Sequence, residues 1–326
     1  MNVLRGKFAL LVLQNAPLLL FAILIVVFGF MSSRFLTPIN FVNIFNQASH
    51  ITIIAIGMTF VLLIAGIDLS VGANMYVSAV VLGVFFGGMP PYIAFPIVMV
   101  LGLAFGAINA LVITQLRVAP FITTLSTLFI GRGIALYFSG NKMVPFSKSM
   151  LTFGRTAYLG VPSAIWVFAV VLVAALVVLK LTTFGRQIYA IGADSDAAAK
   201  AGINVKRVVF SVYCICGVCA AVGGLVSGSQ VAVASSTFGF QKEFPVIAAA
   251  VLGGTSLFGG RGGALGTVFG AVLIQTVENG LVMTNANPYI YPLVISVIIF
   301  IAVFTDSSRT TVLERLERRK IRVEPD

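Results

Sequence analysis

Apolar stretches of about 18 to 23 residues recur along the whole chain, and each can cross a hydrocarbon core of about 30 Å as a helix. They lack the alternation of apolar and polar positions that marks the strands of a membrane β-barrel. In lipid, only helices and closed barrels pair all their backbone polar groups. The pattern predicts an all-α polytopic membrane protein with about ten transmembrane helices, at 10–31, 48–66, 70–88, 91–115, 119–139, 161–181, 208–229, 244–257, 263–283 and 289–305.

The eighth stretch is too short to cross fully and ends in a glycine-rich run, which predicts a broken or re-entrant segment. Gly66–Gly72 and Gly254–Gly260 share the pattern G-x-[DS]-L-x-x-G, each at the end of a span. Six spans separate the two copies, so they would have the same orientation, as in a parallel internal repeat. Chance similarity in a chain rich in Gly and Leu is the competing explanation. Structural turns are assigned to Gly66, Gly72, Gly254 and Gly260.

Residues 182–207 form the longest polar stretch between two spans. Asp194 or Ser195 can cap a short alanine-rich helix that Gly202 ends, with the apolar Ile203 directly after it. A short capped helix with an apolar tip, held outside the bilayer, suits docking onto a soluble partner. The stretch therefore suggests a membrane subunit that is driven by a separate protein.

Of the residues in the chain, 59% are hydrophobic and 10% are charged. Ordinary soluble domains have about 25% charged residues. Its net charge of +11 does not indicate nucleic-acid binding, because the basic residues lie at helix ends and in the C-terminal tail, 306–326. Most of the 21 Lys and Arg fall on one side if the N-terminus is cytoplasmic. We therefore expect one transmembrane domain over 1–326, with both termini and residues 182–207 in the cytoplasm.

Motifs for catalysis or metal binding are missing from the sequence. There is no G-x-x-x-x-G-K-[ST] for ATP, no H-E-x-x-H, and only one histidine, His50. Cys214, Cys216 and Cys219 lie inside one apolar span, where small packing residues are the better explanation than metal ligands. We expect neither an enzyme nor a bound cofactor or metal.

Ionisable residues within spans are expensive in lipid and usually face a cavity or a partner. Asp68, followed by Asn74, either caps the third helix or lines a transport pathway. Arg132 is expected in a structural ion pair. Glu278 and Asn279, near the outer end of the ninth span, are candidates for the mouth of a cavity.

Phe121 lies beside three hydroxyl residues, Thr123, Thr124 and Ser126. An aromatic ring beside hydroxyl groups suits neutral polyols, which stack their C–H faces and form hydrogen bonds. Ordinary helix packing is the alternative. Phe121 and Thr124 are retained as substrate candidates.

Several blocks, in this order and spread over nearly the whole chain, resemble the permease subunits of ribose-type monosaccharide ABC importers. They are Gly57–Val61, Gly66–Gly72, Pro120–Leu125, Arg132-Gly133, Gly185–Gly192, Gly202–Val205 and Ala248–Leu257. The resemblance implies an inner-membrane permease that pairs with a second permease, identical or related. It also implies a cytoplasmic ABC ATPase, which would bind ATP and Mg, and a periplasmic sugar-binding protein. Residues 182–207 then match the family's coupling loop, with candidates Asp194, Asp196, Ala198, Gly202 and Ile203.

The leading hypothesis is therefore the permease of an ATP-driven importer for a monosaccharide or related small polyol. The alternative is an ion-coupled secondary transporter of a small neutral solute, which would need more buried acids and no docking loop. Branched-chain amino acid permeases are distant relatives within the same class. A membrane-embedded enzyme has no catalytic constellation to support it.

Overall fold

The computed structural model describes residues 18–301 and 303–304. Two short antiparallel pairs join β1 (Val144–Pro145) with β4 (Val233–Ala234), and β2 (Ala157–Tyr158) with β3 (Val161–Pro162). Everything else that is regular is helical. Helices α1 to α13 are, in chain order, Leu18–Met31, Pro38–Leu63, Val71–Phe85, Pro91–Gln115, Pro120–Ser139, Lys148–Arg155, Ser163–Leu181, Thr183–Ala193, Ser195–Lys200, Val205–Val231, Glu243–Leu252, Ala264–Met283 and Pro288–Ile301.

Six of these helices, α2, α4, α5, α7, α10 and α12, are long and apolar enough to cross a membrane. Four shorter apolar helices, α1, α3, α11 and α13, lie within the other predicted stretches. The chain is thus a polytopic helical membrane protein. The start of the first predicted span and the tail at 306–326 lie outside the described residues.

Helix α2 begins ten residues before the predicted span, at Pro38 rather than at residue 48. Its first turns carry Asn40, Asn43, Asn46 and Gln47, which the hydropathy pattern assigned to a loop. Most of α2 is buried inside the protein. Asn40 is buried and donates to the carbonyl of Phe35, and Asn46 accepts from the Gln230 amide, whereas Asn43 and Gln47 are exposed.

Helices α6 and α8 were not predicted, because neither belongs to a long apolar run. Both are short and amphipathic: α6 buries Met150, and α8 buries Ile188 and Ile191, while their polar residues face outward. Helix α11 ends at Leu252, and residues 253–263 are irregular, which confirms the predicted break in the eighth stretch.

The chain divides into two compact units, and the larger one, residues 42–272, is organised around α10. Gly217 on α10 faces Gly102 and Gly106 on α4 so closely that a Cβ atom on any of them would overlap backbone of the other helix. On α2, a Cβ atom at Gly57 would lie 2.6 Å from Cβ of Cys219. Close approach through small residues is the usual way for membrane helices to associate.

The smaller unit comprises residues 1–41 and 273–326. Within its described part, Phe28 and Phe35 pack with ring centroids 5.4 Å apart, and Gly280 makes room for the Phe28 ring. Asn40 and Asn279 exchange two hydrogen bonds between their amide groups, at 2.9 and 3.0 Å. Neither asparagine therefore carries an unsatisfied amide in this apolar surrounding.

The four assigned turn glycines have different roles. Gly254 (φ +86°) and Gly260 (φ +71°) adopt left-handed backbone, as a turn requires. At the end of α2 the left-handed residue is Ala65 (φ 58°), whereas Gly66 allows the Tyr213 hydroxyl to approach. Gly72 lies inside α3 and contacts the carbonyl oxygen of Gly239. Gly66 thus lies in the turn, where its amide donates to the carbonyl of Val61 at 2.9 Å, whereas the assignment of Gly72 as a turn is corrected to a site of close packing.

The two copies of the suggested repeat share one local feature. The Ser70 amide donates to Asp68 Oδ1 at 2.9 Å, and the Phe258 amide donates to Ser256 Oγ at 3.2 Å, two residues apart in each case. The first turn leads directly into α3, whereas the second leads into an irregular segment up to Ala264. The observed similarity is therefore a local turn.

Candidate functional site

The polar stretch 182–207 folds into α8, α9 and the start of α10. Asp194 Oδ1 accepts hydrogen bonds from the amides of Asp196 and Ala197, both at 2.9 Å, which identifies Asp194 as the cap of α9. At the other end, the Ile203 amide bonds to the carbonyl of Ala198, and Gly202 adopts φ +87°. The predicted start and stop of this short helix are confirmed.

The faces of α9 differ in exposure. Asp194, Asp196 and Gly202 are exposed, whereas Ala198 is 5% exposed and turned into the protein. Ile203 is half-buried. Ala198 therefore anchors the helix to the protein. The exposed residues of α9 and its C-terminal end are small or charged: Asp196, Ala197, Ala199, Lys200, Ala201 and Gly202.

Helix α8 attaches this segment to the protein. Thr182 caps it by accepting from the Gly185 amide at 3.1 Å, and Ile188 and Ile191 are buried on its inner face. The Tyr189 hydroxyl donates to the carbonyl oxygen of Gly262 at 2.9 Å. Partial burial raises the pKa of Tyr189 above its ordinary value, so the phenol keeps its proton and remains a donor at neutral pH.

A second polar cluster surrounds Asp68, in the turn between α2 and α3. Its Oδ1 accepts hydrogen bonds from the amide and the hydroxyl of Ser70, at 2.9 and 2.6 Å. The Asn109 amide donates to Ser70 Oγ, and the Thr127 hydroxyl donates to Asn109 Oδ1. The Tyr213 hydroxyl on α10 donates to the carbonyl of Ile67, in the same turn, at 3.3 Å. Residues from α4, α5 and α10 therefore hold this turn.

Neither of the two interpretations of Asp68 matches this geometry. Helix α3 begins at Val71, and its capping residue is Ser70, so Asp68 bonds to the turn before the helix and not to its first amides. Asp68 is 1% exposed and does not line an open space in the subunit. Its role in the structure is to hold the turn, because a hydrogen bond in a buried site of low dielectric is stronger than the same bond in water.

Two further candidates lie near this turn. The Asn74 amide donates to the carbonyl of Gly217 on α10 at 2.9 Å. The Thr124 hydroxyl donates to the carbonyl of Pro120 at 2.9 Å and lies 3.4 Å from that of Ile67. Both side chains are fully buried. The structure thus brings Asp68, Asn74 and Thr124 into one region, where they connect helices.

Phe121 does not join this group. Its ring is 53% exposed on α5, whereas Thr123 and Thr124 face the interior. Ser126 is exposed and donates to the carbonyl of Ile122 in its own helix. The expected face of an aromatic ring beside several hydroxyls is therefore not assembled: the ring is exposed, Thr123 and Thr124 are buried, and the hydroxyls of Thr124 and Ser126 bond to carbonyls of their own helix.

Glu278 and Asn279 lie on α12 in the smaller unit. The Asn279 side chain is 6% exposed and is paired with Asn40, so its amide is occupied by a structural contact. Glu278 is half-buried beside it in sequence. Because the Asn279 amide is bonded to Asn40, Glu278 is the one of these two candidates that could face a polar space.

Arg132 fastens the segment between α10 and α11 to α5. Its guanidinium donates to the carbonyls of Ser236 and Phe238, at 3.2 and 3.4 Å, and lies 4.9 Å from the ring centroid of Phe240. The sequence predicted an ion pair here. Its hydrogen bonds go to these two carbonyls, and the acidic Glu243 on α11 interacts with the guanidinium electrostatically. The predicted structural role therefore involves carbonyls and an aromatic ring as well as an acid.

Sequence reasoning overlooked Tyr189, Asn109 and Thr127. A polar residue within an apolar span, such as Asn109, is a usable signal, because its amide needs a partner in lipid. Thr127 gives no such signal, since a threonine hydroxyl can bond to its own helix. In the described part of the chain, no three His, Cys, Asp or Glu side chains gather closely enough to hold a metal ion.

Comparison with known proteins adds an independent observation. The family model described as "Branched-chain amino acid transport system / permease component" matches residues 40–303. The chain is 38% identical to the ribose import permease protein of Bacillus subtilis (strain 168), over 90% of this chain and 92% of that protein. It is also 38% identical to the D-allose transport system permease protein of Escherichia coli (strain K12), over 92% and 93% of the two chains.

A third relative, the galactose/methyl galactoside import permease protein of Haemophilus influenzae, is 32% identical over 90% of this chain and 94% of its own length. No solved structure gives a significant match. The similarity thus extends over nearly the full length of three curated sugar permeases.

Proposed function

Because the chain belongs to this family of transport-system permease components, among its ribose-type sugar permeases, we propose that it forms the translocation pathway of an ATP-driven importer for a monosaccharide or related small polyol. A separate cytoplasmic ABC ATPase supplies the energy, and a periplasmic binding protein delivers the sugar. A second permease, identical or related, completes the pathway. The chain is a multi-pass protein of the bacterial inner membrane.

The observation that carries the coupling part of the proposal is the exposed helix α9. It is capped by Asp194, ended by Gly202 and anchored by Ala198, so it has a defined shape at the surface. Its outward residues Ala197 and Ala199, with Ala201 and Gly202 after it, are small, which lets a groove of the ATPase approach the backbone closely. A rigid, exposed helix can pass on movement, whereas an unstructured loop would absorb it.

About ten spans are proposed from the six long helices and the four shorter ones. Helix α3, with 15 residues, rises only about 22 Å, less than the hydrocarbon thickness of about 30 Å. Part of the irregular chain beside these helices is buried, namely residues 68–70 before α3 and residues 255–256 after α11. Burial in protein is the condition under which non-helical backbone is tolerated at membrane depth. Short helices with buried extensions can therefore complete a crossing.

The alternation of connecting segments between two sides is supported by the way they meet in the larger unit. At one end, β1 pairs with β4, and the Ser147 hydroxyl bonds to the carbonyl of Met89. At the other, the Gly260 amide bonds to the carbonyl of Leu63, and Tyr189 bonds to Gly262. Each set joins only segments that the charge pattern assigns to the same side of the membrane. The charge pattern assigns the second set to the cytoplasm, together with residues 182–207 and both termini.

The proposal is tested by purifying the chain from its native membrane in mild detergent and measuring ATP hydrolysis in the recovered material. We expect an ATPase that is retained by the unsubstituted chain and lost from Ala197→Trp, which adds bulk on the exposed face of α9. Ala157→Trp is the control, because Ala157 is also exposed but lies on β2. A chain that moves ribose, allose or galactose into vesicles without ATP would contradict the proposal and indicate secondary transport.

A further inference from the structure

Backbone atoms of three segments meet where α2 ends. The Gly260 amide donates to the carbonyl oxygen of Leu63, the last residue of α2, at 2.9 Å. Gly192, in the last turn of α8, lies against the same carbonyl and the same amide, so closely that a Cβ atom would overlap both. We call Leu63, Gly192, Gly259 and Gly260 the glycine junction.

The contacts within the glycine junction run from backbone to backbone. A Cβ atom on Gly259 would lie 2.8 Å from the carbonyl oxygen of Gly192 and 3.0 Å from the amide of Ala65. One on Gly260 would lie 3.2 Å from the amide of Ala193. Side chains give way by changing rotamer, whereas backbone moves only with its own segment. Displacement of α8 therefore reaches the end of α2 and the 254–262 loop with little loss.

Tyr189 provides a second connection between the same segments. It lies three residues before Gly192, on the same face of α8, and its hydroxyl bonds to the carbonyl of Gly262 at 2.9 Å. Together, the tyrosine and the glycine junction fasten α8 to the 254–262 loop at two points. Two points of attachment transmit rotation as well as translation.

The end of α2 is in turn fastened to the rest of the larger unit. The Tyr213 hydroxyl on α10 bonds to the carbonyl of Ile67 at 3.3 Å, and Asp68 connects to Ser70 and, through it, to Asn109 on α4. A shift of Leu63 is therefore passed on to α3, α4 and α10 by buried hydrogen bonds. The contacts form a continuous path from the exposed helix α9 to the packed helices.

We infer that the glycine junction, assisted by Tyr189, is the link through which movement of the 182–207 segment is transmitted to α2 and the 254–262 loop. Gly192 and Tyr189 are then positioning residues for transport. Gly192 acts by allowing backbone contact, and Tyr189 acts by its hydrogen bond. The inference rests on the proposed function, since it presumes a partner that moves α9.

The test compares Gly192→Ala and Tyr189→Phe in vesicles of the native membrane and in the purified complex with its ATPase. The readout is the number of sugar molecules accumulated, from labelled ribose, allose and galactose, per ATP hydrolysed. We expect this ratio to fall about fivefold for Tyr189→Phe and at least about tenfold for Gly192→Ala, with the ATPase still bound. A purely structural role would instead lower transport, ATP hydrolysis and ATPase retention together.

Two controls add a methyl group without crowding. Gly263→Ala lies in the same loop, where the nearest atom, the Tyr189 hydroxyl, would be 3.8 Å away, and Gly133→Ala faces open space on α5. Both should keep the wild-type ratio. If Gly192→Ala does not assemble, Tyr189→Phe decides alone, and an unchanged ratio there overturns the inference. Accumulation without ATP in the unsubstituted vesicles would instead contradict the proposed function.

Discussion

The turn that contains Asp68 is connected to α4, α5 and α10 by hydrogen bonds. One chain of these bonds runs from Thr127 through Asn109 and Ser70 to Asp68. That Asp68 has a special role can be predicted from the sequence, because an acid at the end of an apolar span needs partners. The partners of Asp68 cannot be predicted from the sequence, because the packing of α4 and α5 against α3 brings them together.

We expect Asp68→Ala to lower the free energy of unfolding by about 1–3 kcal/mol, because the Ser70 amide and hydroxyl lose their buried acceptor. Asp68→Asn keeps a carbonyl oxygen in the same place and should cost about 1 kcal/mol or less. Unfolding in mixed detergent micelles measures both. Ser126→Ala is the control, since its hydroxyl is exposed and bonds within its own helix. Equal losses for the two Asp68 variants would contradict this account.

Helix ends show which local structures the sequence specifies. Asp194, Gly202 and the break after α11 could be predicted, because capping and left-handed backbone depend on residues within one turn. The end of α2 could not. There Ala65 adopts φ 58°, which costs an alanine about 1 kcal/mol, and it packs closely against Gly259 of the glycine junction. The early start of α2 was likewise hidden, because its first turns are too polar to appear in the hydropathy pattern.

A matched pair of substitutions tests this view of helix ends. Ala65 and Gly254 are both the left-handed residue that follows a helix, with the next amide bonded five residues back, Gly66 to Val61 and Thr255 to Ala250. We expect Ala65→Gly to raise the free energy of unfolding by about 0.5–1 kcal/mol, and Gly254→Ala to lower it by about 1 kcal/mol. Thermal unfolding in detergent measures both changes. Changes of the same sign would show that neighbouring contacts, rather than backbone conformation, decide these positions.

At the scale of the larger unit, connecting segments meet in two sets, one at each end. The charge pattern places the same segments on opposite sides of the membrane, so sequence and contacts agree on the alternation of the chain. The family and the class of transporter could also be predicted, since the blocks that carry the resemblance are spread over nearly all of the chain. The substrate-contacting residues could not, because most candidates, such as Asn74 and Thr124, are used in helix packing.

Labelling with a membrane-impermeant maleimide tests the alternation. Lys142 and Lys200 are both exposed, and they lie in segments assigned to opposite sides. We expect Lys142→Cys to react in intact spheroplasts and Lys200→Cys to react only after permeabilisation. The unsubstituted chain is the control, because its three cysteines are buried. Reaction of both variants from one side would contradict the proposed topology.

The central claim is that this chain is a permease driven through its 182–207 segment, and ATP-dependent sugar uptake by Gly202→Val tests it most directly. Gly202 has φ +87° and Gly160 has φ +78°, and a Cβ atom at either would have open space around it. Val is therefore about equally strained at both positions, but only Gly202 lies beside α9. We predict that uptake falls at least about tenfold for Gly202→Val and stays near normal for Gly160→Val, at equal amounts of chain in the membrane. Normal uptake by Gly202→Val would contradict the account.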